Sequence, residues 1–130
     1  MKNKNGGYKG FIYQHPAREK GCHMVEKKHP GPLFLSLEKA ACLVSDNSLL
    51  AMGGNMRMEP MAFVQELVRQ GRKRLRLVTV PGGGIGVDML IGSGCVESIE
   101  TPQIVLDEFG QAPNFREYVQ EGKIKVFDQV

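Results

Sequence analysis

Apolar and polar residues follow two patterns in turn along residues 46–71. Residues 49–52 form a short, uninterrupted apolar run after three turn-forming residues, which predicts a strand covered on both faces. Gly53 and Gly54 follow this run. Apolar residues then recur at helical spacing from Pro60, which suits a first helical turn, to Gly71, which suits a C-terminal cap. The segment therefore predicts a strand, a glycine elbow and a helix.

The same alternation of strand and helix extends over the rest of residues 33–130. Ser36 and Asn114 are predicted N-caps, and Gly122 is a predicted helix end. The other predicted elements are helices over 37–44, 87–91 and 115–121 and strands over 75–80, 96–99 and 123–127. The order αβαβαβαβ with short connections predicts an α/β fold, a Rossmann-like parallel sheet with flanking helices and right-handed crossovers.

Residues 1–32 differ from the rest of the chain in pattern and charge. They have no sustained hydrophobic period and end in a Pro-Gly-Pro boundary, which predicts a flexible extension ahead of a domain over 33–130. Their basic charge could indicate a nucleic-acid contact, but too few positive charges stand between their aromatic residues, so a solvated tail is favoured. Because His15, Cys22, His23 and His29 match no known zinc-site spacing, scattered surface residues are favoured over a metal site, and no metal is predicted.

The sequence also bears on location. It has no apolar run approaching the roughly 20 residues of a membrane span, and no secretory signal precedes the domain. We therefore expect a cytoplasmic protein with no membrane partner and no nucleic-acid partner.

Candidate binding residues follow the predicted strands at their carboxyl ends, where α/β sheets bind ligands. Gly53, Gly54 and Asn55 follow the first strand, Gly82, Gly83 and Gly84 the second, and Glu100 and Gln103 the third. A glycine loop between strand and helix can bind a phosphate or oxyanion through its backbone N–H groups. As a motif the second loop is weak, because it matches neither the dinucleotide-binding nor the P-loop pattern. The basic residues 72–74 lie at the opposite end of the second strand, where a solvated turn is favoured over an anion contact.

Several of these pieces, taken in order, carry a family resemblance. The pieces are residues 36–40, 46–47, 52–54, 60–71, 87–94 and 112–116. Together they resemble the amino-terminal half of the α subunit of family I CoA-transferases, and the branch that looks most similar is that of the glutaconate CoA-transferases. The resemblance implies the α/β fold that this family shares with ribose-phosphate isomerases.

The resemblance also implies a function. Family members move CoA between an acyl-CoA thioester and a small carboxylic or dicarboxylic acid, through a covalent glutamyl-CoA intermediate. In two-subunit members the catalytic glutamate belongs to the β subunit, so we expect a β-subunit partner, no catalytic residue in this chain and no activity of the chain alone. Coenzyme A thioester is then a substrate, and no permanently bound cofactor is expected. The two glycine loops would form part of the acyl pocket.

The chain departs from the family in three ways. Asn55 stands where an aromatic residue is usual, the elbow before Pro60 is about one residue short, and family α subunits are much longer, so a truncated or split subunit is expected. The alternative is a non-catalytic module that binds an acyl-CoA or a partner. A sugar-phosphate isomerase is disfavoured, because the glycine loops lack the carboxylate base and phosphate-binding side chains of that chemistry.

Overall fold

The computed structural model describes residues 34–54 and 58–128. The predictions for residues 1–32 and for Asn55 lie outside the described residues. The described elements are α1 (Leu37–Cys42), β1 (Leu49–Gly53), α2 (Met61–Arg69), β2 (Leu75–Val80), α3 (Ile85–Gly92), β3 (Val96–Glu100), a 3-10 turn (Asp107–Phe109), α4 (Pro113–Gln120) and β4 (Lys125–Phe127).

The four strands form one sheet in the order β1-β2-β3-β4, and each neighbouring pair is parallel. The predicted parallel α/β sheet is therefore confirmed. Gly53 pairs with Val80, and Val78 pairs with Glu100 on the next strand. This register places the carboxyl ends of the first three strands side by side, so the loops that follow them lie at one edge of the sheet.

One face of the sheet carries the core. Each strand is joined to its neighbour by a single crossover helix, and consecutive right-handed crossovers place their helices on the same face. In agreement, α2 packs against both α1 and α3, and α3 packs against α4. Leu77, Thr79 and Ile99 point into this layer and are buried. The helix-covered face therefore contains the hydrophobic core.

The opposite face is open among the described residues. Leu49 is 53% exposed, Val80 59% and Phe127 55%. The prediction that the first strand is covered on both faces is therefore wrong for the described part of the chain. Its physical cause is the strand order: because no crossover skips a strand or reverses direction, none of the described helices reaches the second face.

The helix ends show which boundaries local sequence determines. Ser36 caps α1 as predicted, its Oγ accepting the Lys39 N–H at 3.4 Å. Gly71 and Gly122 follow α2 and α4 with φ of 67° each, as helix-ending glycines do. The prediction that Asn114 caps α4 is wrong, because that helix begins one residue earlier, at Pro113. In the described part of the chain, no helix has the length and apolarity needed to cross a membrane.

Candidate functional site

Three loops meet at the carboxyl edge of the sheet. They follow β1, β2 and β3, and backbone hydrogen bonds join the second to the third. The Gly83 N–H donates to the Gln103 carbonyl at 3.0 Å, and the Val105 N–H donates to the Gly83 carbonyl at 3.1 Å. Two of the predicted site segments, the second glycine loop and the segment with Gln103, are therefore in direct contact.

The first glycine loop needs glycine for its backbone conformation. Gly54 is exposed and has φ of 104°, a region that side chains rarely adopt. A Cβ at Gly54 would lie 2.4 Å from the Met58 carbonyl oxygen. At Gly53, by contrast, a Cβ would lie 3.4 Å from the Val80 carbonyl oxygen, an ordinary contact. Gly54 therefore makes the tight turn out of β1.

The second glycine loop needs glycine for a different reason, close packing. Residues 82–84 are all buried, and Gly84 has an ordinary negative φ. A Cβ at Gly83 would lie 3.1 Å from Val87 and 3.2 Å from Ile104. At Gly82 it would lie 3.3 Å from the Gln103 side chain. The loop therefore packs closely against both α3 and the segment after β3.

Glu59 holds the second loop to the first, a role that the sequence pattern did not predict. Its Oε1 accepts the Gly84 N–H at 3.0 Å, and its Oε2 accepts the Gly86 N–H at 2.6 Å. These are donors at the start of α3, whose N-cap residue Gly84 has no side chain to accept them. Of the loop N–H groups that the sequence suggested for an oxyanion, that of Gly84 thus donates to a carboxylate of the same chain.

Two buried threonines hold the third loop in place through hydrogen bonds. Thr79 and Thr101 face the helix layer at the ends of β2 and β3 and are 0% and 3% exposed. The Thr79 hydroxyl donates to Thr101 Oγ1 at 2.6 Å, and the Thr101 hydroxyl donates to the Gln103 carbonyl at 2.8 Å. This chain of hydrogen bonds fixes the backbone at Gln103, and the Gln103 side chain remains exposed beside Gly82.

Glu100 lies apart from the other predicted site residues. It is the last residue of β3, and its neighbours Ile99 and Thr101 are both buried on the helix face. Because side chains alternate along a strand, Glu100 points to the open face and is exposed. The structure therefore brings together Gly53, Gly54, Gly82, Gly83, Gly84 and Gln103 but leaves Glu100 on the other side of the sheet.

The amino edge of the sheet holds the basic residues and does not contribute to these loops. The Lys73 N–H donates to Asp46 Oδ1 and the Arg74 guanidinium to Asn47 Oδ1, each at 2.7 Å. Cys95 is buried just before β3, and burial raises the pKa of its thiol. The basic turn is tied to its own chain, and the Cys95 thiol is neither exposed nor activated as a nucleophile.

The described side chains do not form a metal centre. Within residues 34–54 and 58–128, no group of three or more His, Cys, Asp or Glu side chains is arranged to hold a metal ion.

Comparison with known proteins identifies the family. A model of the coenzyme A transferase family matches residues 34–129, which include every element of the sheet. The chain belongs to the coenzyme A transferase family. The resemblance drawn from the sequence is thereby confirmed at the level of the family. A search of curated protein sequences gives no match.

Three solved structures have a similar fold. Glutaconate coenzyme A-transferase from Acidaminococcus fermentans is 28% identical with a TM-score of 0.68, and the match covers 73% of this chain and 31% of that one. A variant of the decarboxylase AibA/AibB is 26% identical with a TM-score of 0.67, covering 74% and 38%. The acyl-CoA transferase YdiF from E. coli O157:H7, as a thioester complex with CoA, is 20% identical with a TM-score of 0.58, covering 73% and 20%, and it supports the fold alone. This chain thus spans between a fifth and two fifths of the length of these relatives.

Proposed function

We propose that this chain is the α-type subunit of a CoA-transferase and forms one wall of the acyl pocket. The observation that carries the proposal is the meeting of two glycine loops and Gln103 at the carboxyl edge of a sheet that belongs to this family. The similarity to glutaconate coenzyme A-transferase supports a small carboxylic or dicarboxylic acid as acceptor. Gly53, Gly54, Asn55, Gly82, Gly83, Gly84 and Gln103 are the proposed wall, with Glu100 at its outer rim.

The catalytic glutamate is proposed to lie on a partner β subunit. Among the described carboxylates at the carboxyl edge, both Glu59 oxygens accept backbone N–H groups, and Glu100 points to the open face. Glu59 lies among the loops with both oxygens engaged, and Glu100 lies on the other side of the sheet. These contacts of the described carboxylates support a nucleophile that comes from a partner subunit.

The proposed reaction balances without an added base. The partner carboxylate attacks the thioester carbonyl, the C–S bond breaks, and an acyl-glutamyl anhydride and a CoA thiolate form. The thiolate then attacks the glutamyl carbonyl carbon, and the bond between that carbon and the bridging oxygen breaks. The acid leaves as a carboxylate, and a glutamyl-CoA thioester remains on the enzyme. A second carboxylate runs the same two steps in reverse, and the CoA leaves on the new acid. The wall formed by this chain holds the acyl group in line with the attacking oxygen.

The test is an exchange assay on the reconstituted complex. The chain is co-expressed with a candidate CoA-transferase β-type subunit, sought first in the adjacent reading frame, and the purified complex is mixed with acetyl-CoA and glutarate. The proposal predicts glutaryl-CoA and acetate in equal amounts from the complex and no product from the chain alone. An active isolated chain, or an assembled complex that transfers CoA to none of a series of C2–C6 mono- and dicarboxylates, would contradict it.

A second candidate is a non-catalytic acyl-CoA-binding module. It is favoured by one observation: the N–H groups of Gly83, Gly84 and Gly86 already have acceptors within the chain. The similar decarboxylase also illustrates that the fold does not determine the reaction. Binding of acetyl-CoA by calorimetry, with neither transfer nor CO₂ release, would support this candidate over the transferase.

A further inference from the structure

A single carboxylate joins the two glycine loops, although they are 25 residues or more apart in sequence. Glu59 lies between the end of β1 and the start of α2, and its two oxygens accept the N–H groups of Gly84 and Gly86 at 3.0 and 2.6 Å. Each oxygen has its own donor, so the contact fixes both distance and orientation. A charged acceptor at a helix N-terminus is also favoured by the helix dipole.

Close packing makes the contact specific. A Cβ at Gly86 would lie 3.1 Å from Glu59 Oε2 and 3.2 Å from the sulfur of Met61, the first residue of α2. The first turn of α3 therefore packs closely against Glu59 and Met61, and a larger residue at Gly86 would require these two side chains to shift. The Glu59 carboxylate sits in this contact and joins the segment before α2 to the start of α3.

Asp88, which lies in α3, provides a comparison with Glu59, which caps the start of α3. Its Oδ1 accepts the Phe115 N–H at 2.7 Å, and its Oδ2 accepts the Asn114 side-chain amide at 2.8 Å. Asp88 thus caps α4 as Glu59 caps α3. Asp88 faces α4 and is 4% exposed, whereas Glu59 faces the glycine loops. Both carboxylates thus accept hydrogen bonds at the start of a helix, but only Glu59 borders the proposed pocket.

We propose that Glu59 is a positioning residue for CoA transfer: it sets the separation of the two glycine loops and thereby the width of the acyl pocket. This inference rests on the proposed function. Glu59 is not a catalytic residue, because both of its oxygens are engaged by backbone N–H groups of its own chain. Its effect on the reaction passes through the loops that it holds.

The test compares matched amide substitutions in the reconstituted complex. Glu59→Gln keeps one acceptor oxygen, Glu59→Ala keeps none, and Asp88→Asn makes the same change at α4. Because a misplacement of about 1 Å at a reacting centre costs on the order of 100-fold in rate, we expect Glu59→Ala to lower kcat/KM by that order. We expect a smaller loss for Glu59→Gln, with KM for the acceptor acid raised in both. Asp88→Asn should lower Tm and leave kcat/KM per assembled complex unchanged.

The outcomes separate this inference from the proposed function. All assays are run well below the lowest Tm, with assembly checked by size-exclusion chromatography, so that loss of folded protein does not enter kcat/KM. Wild-type kcat/KM in assembled Glu59→Ala, or equal losses in Glu59→Gln and Asp88→Asn, would overturn the positioning role alone. An inactive wild-type complex would overturn the proposed function and this role with it. If Glu59→Ala does not fold, Glu59→Gln carries the test, and unchanged kinetics in that variant overturn the proposal.

Discussion

The two glycine loops look alike in sequence and differ in structure. Both follow a strand and precede a helix, yet Gly54 is exposed with φ of 104°, whereas residues 82–84 are buried. The first loop needs glycine for a backbone conformation, and the second needs it for space beside Val87 and Ile104. A glycine at a strand end therefore does not by itself indicate a ligand. The exposed first loop is the better candidate for contact with an acyl group.

Among substitutions in the two loops, Gly54→Val is expected to lower the stability of the chain most. A Cβ would lie 2.4 Å from a backbone carbonyl oxygen, and a β-branched residue would be held at a φ of 104°. Backbone strain of this kind costs on the order of 1–3 kcal/mol, and the added crowding costs a similar amount. We expect the variant to lose its cooperative thermal transition by circular dichroism and to fail to assemble with the proposed β-type partner. A Gly54→Val chain that melts like the wild type would mean that the turn is not held in this conformation.

An intermediate effect is expected from Gly83→Ala. Its φ imposes no strain, but the new methyl group would lie 3.1 Å from Val87 and 3.2 Å from Ile104. Overpacking of this kind costs typically about 1–3 kcal/mol. Urea unfolding should show a lower midpoint with an unchanged slope. Equal stability would indicate that α3 moves away freely, and the packing explanation of the second loop would then be wrong.

The smallest effect is expected from Gly53→Ala, which serves as the control for Gly54. A Cβ at Gly53 meets the Val80 carbonyl oxygen at 3.4 Å, an ordinary van der Waals contact. A substitution without clash or strain is expected to change the free energy of unfolding by no more than about 0.5 kcal/mol. In urea unfolding measured side by side, Gly54→Ala should lower the free energy of unfolding clearly more than Gly53→Ala. A large loss at Gly53 would mean that both glycines are required by the turn.

The sequence predicted the order of elements, the parallel sheet and the family because these depend on local signals. Ser36 caps its helix with its own side chain, and Gly71 ends a helix with its own φ. The role of Glu59 was missed because its hydrogen-bond partners lie 25 and 27 residues away. The Asn114 cap was wrong for the same reason, since the carboxylate that caps α4 comes from Asp88 on another helix. The exposure of β1 on the open face was missed because an apolar run does not show which neighbours cover it.

The most direct test of the account is the location of the covalent CoA adduct. The reconstituted complex is incubated with acyl-CoA, digested and mapped by tandem mass spectrometry. The account predicts a CoA thioester on a glutamate of the β-type partner, with none on any peptide of this chain. An adduct on this chain, at Glu59 or at Glu100 on the open face, would contradict the assignment of the chain as the non-nucleophilic wall of the pocket.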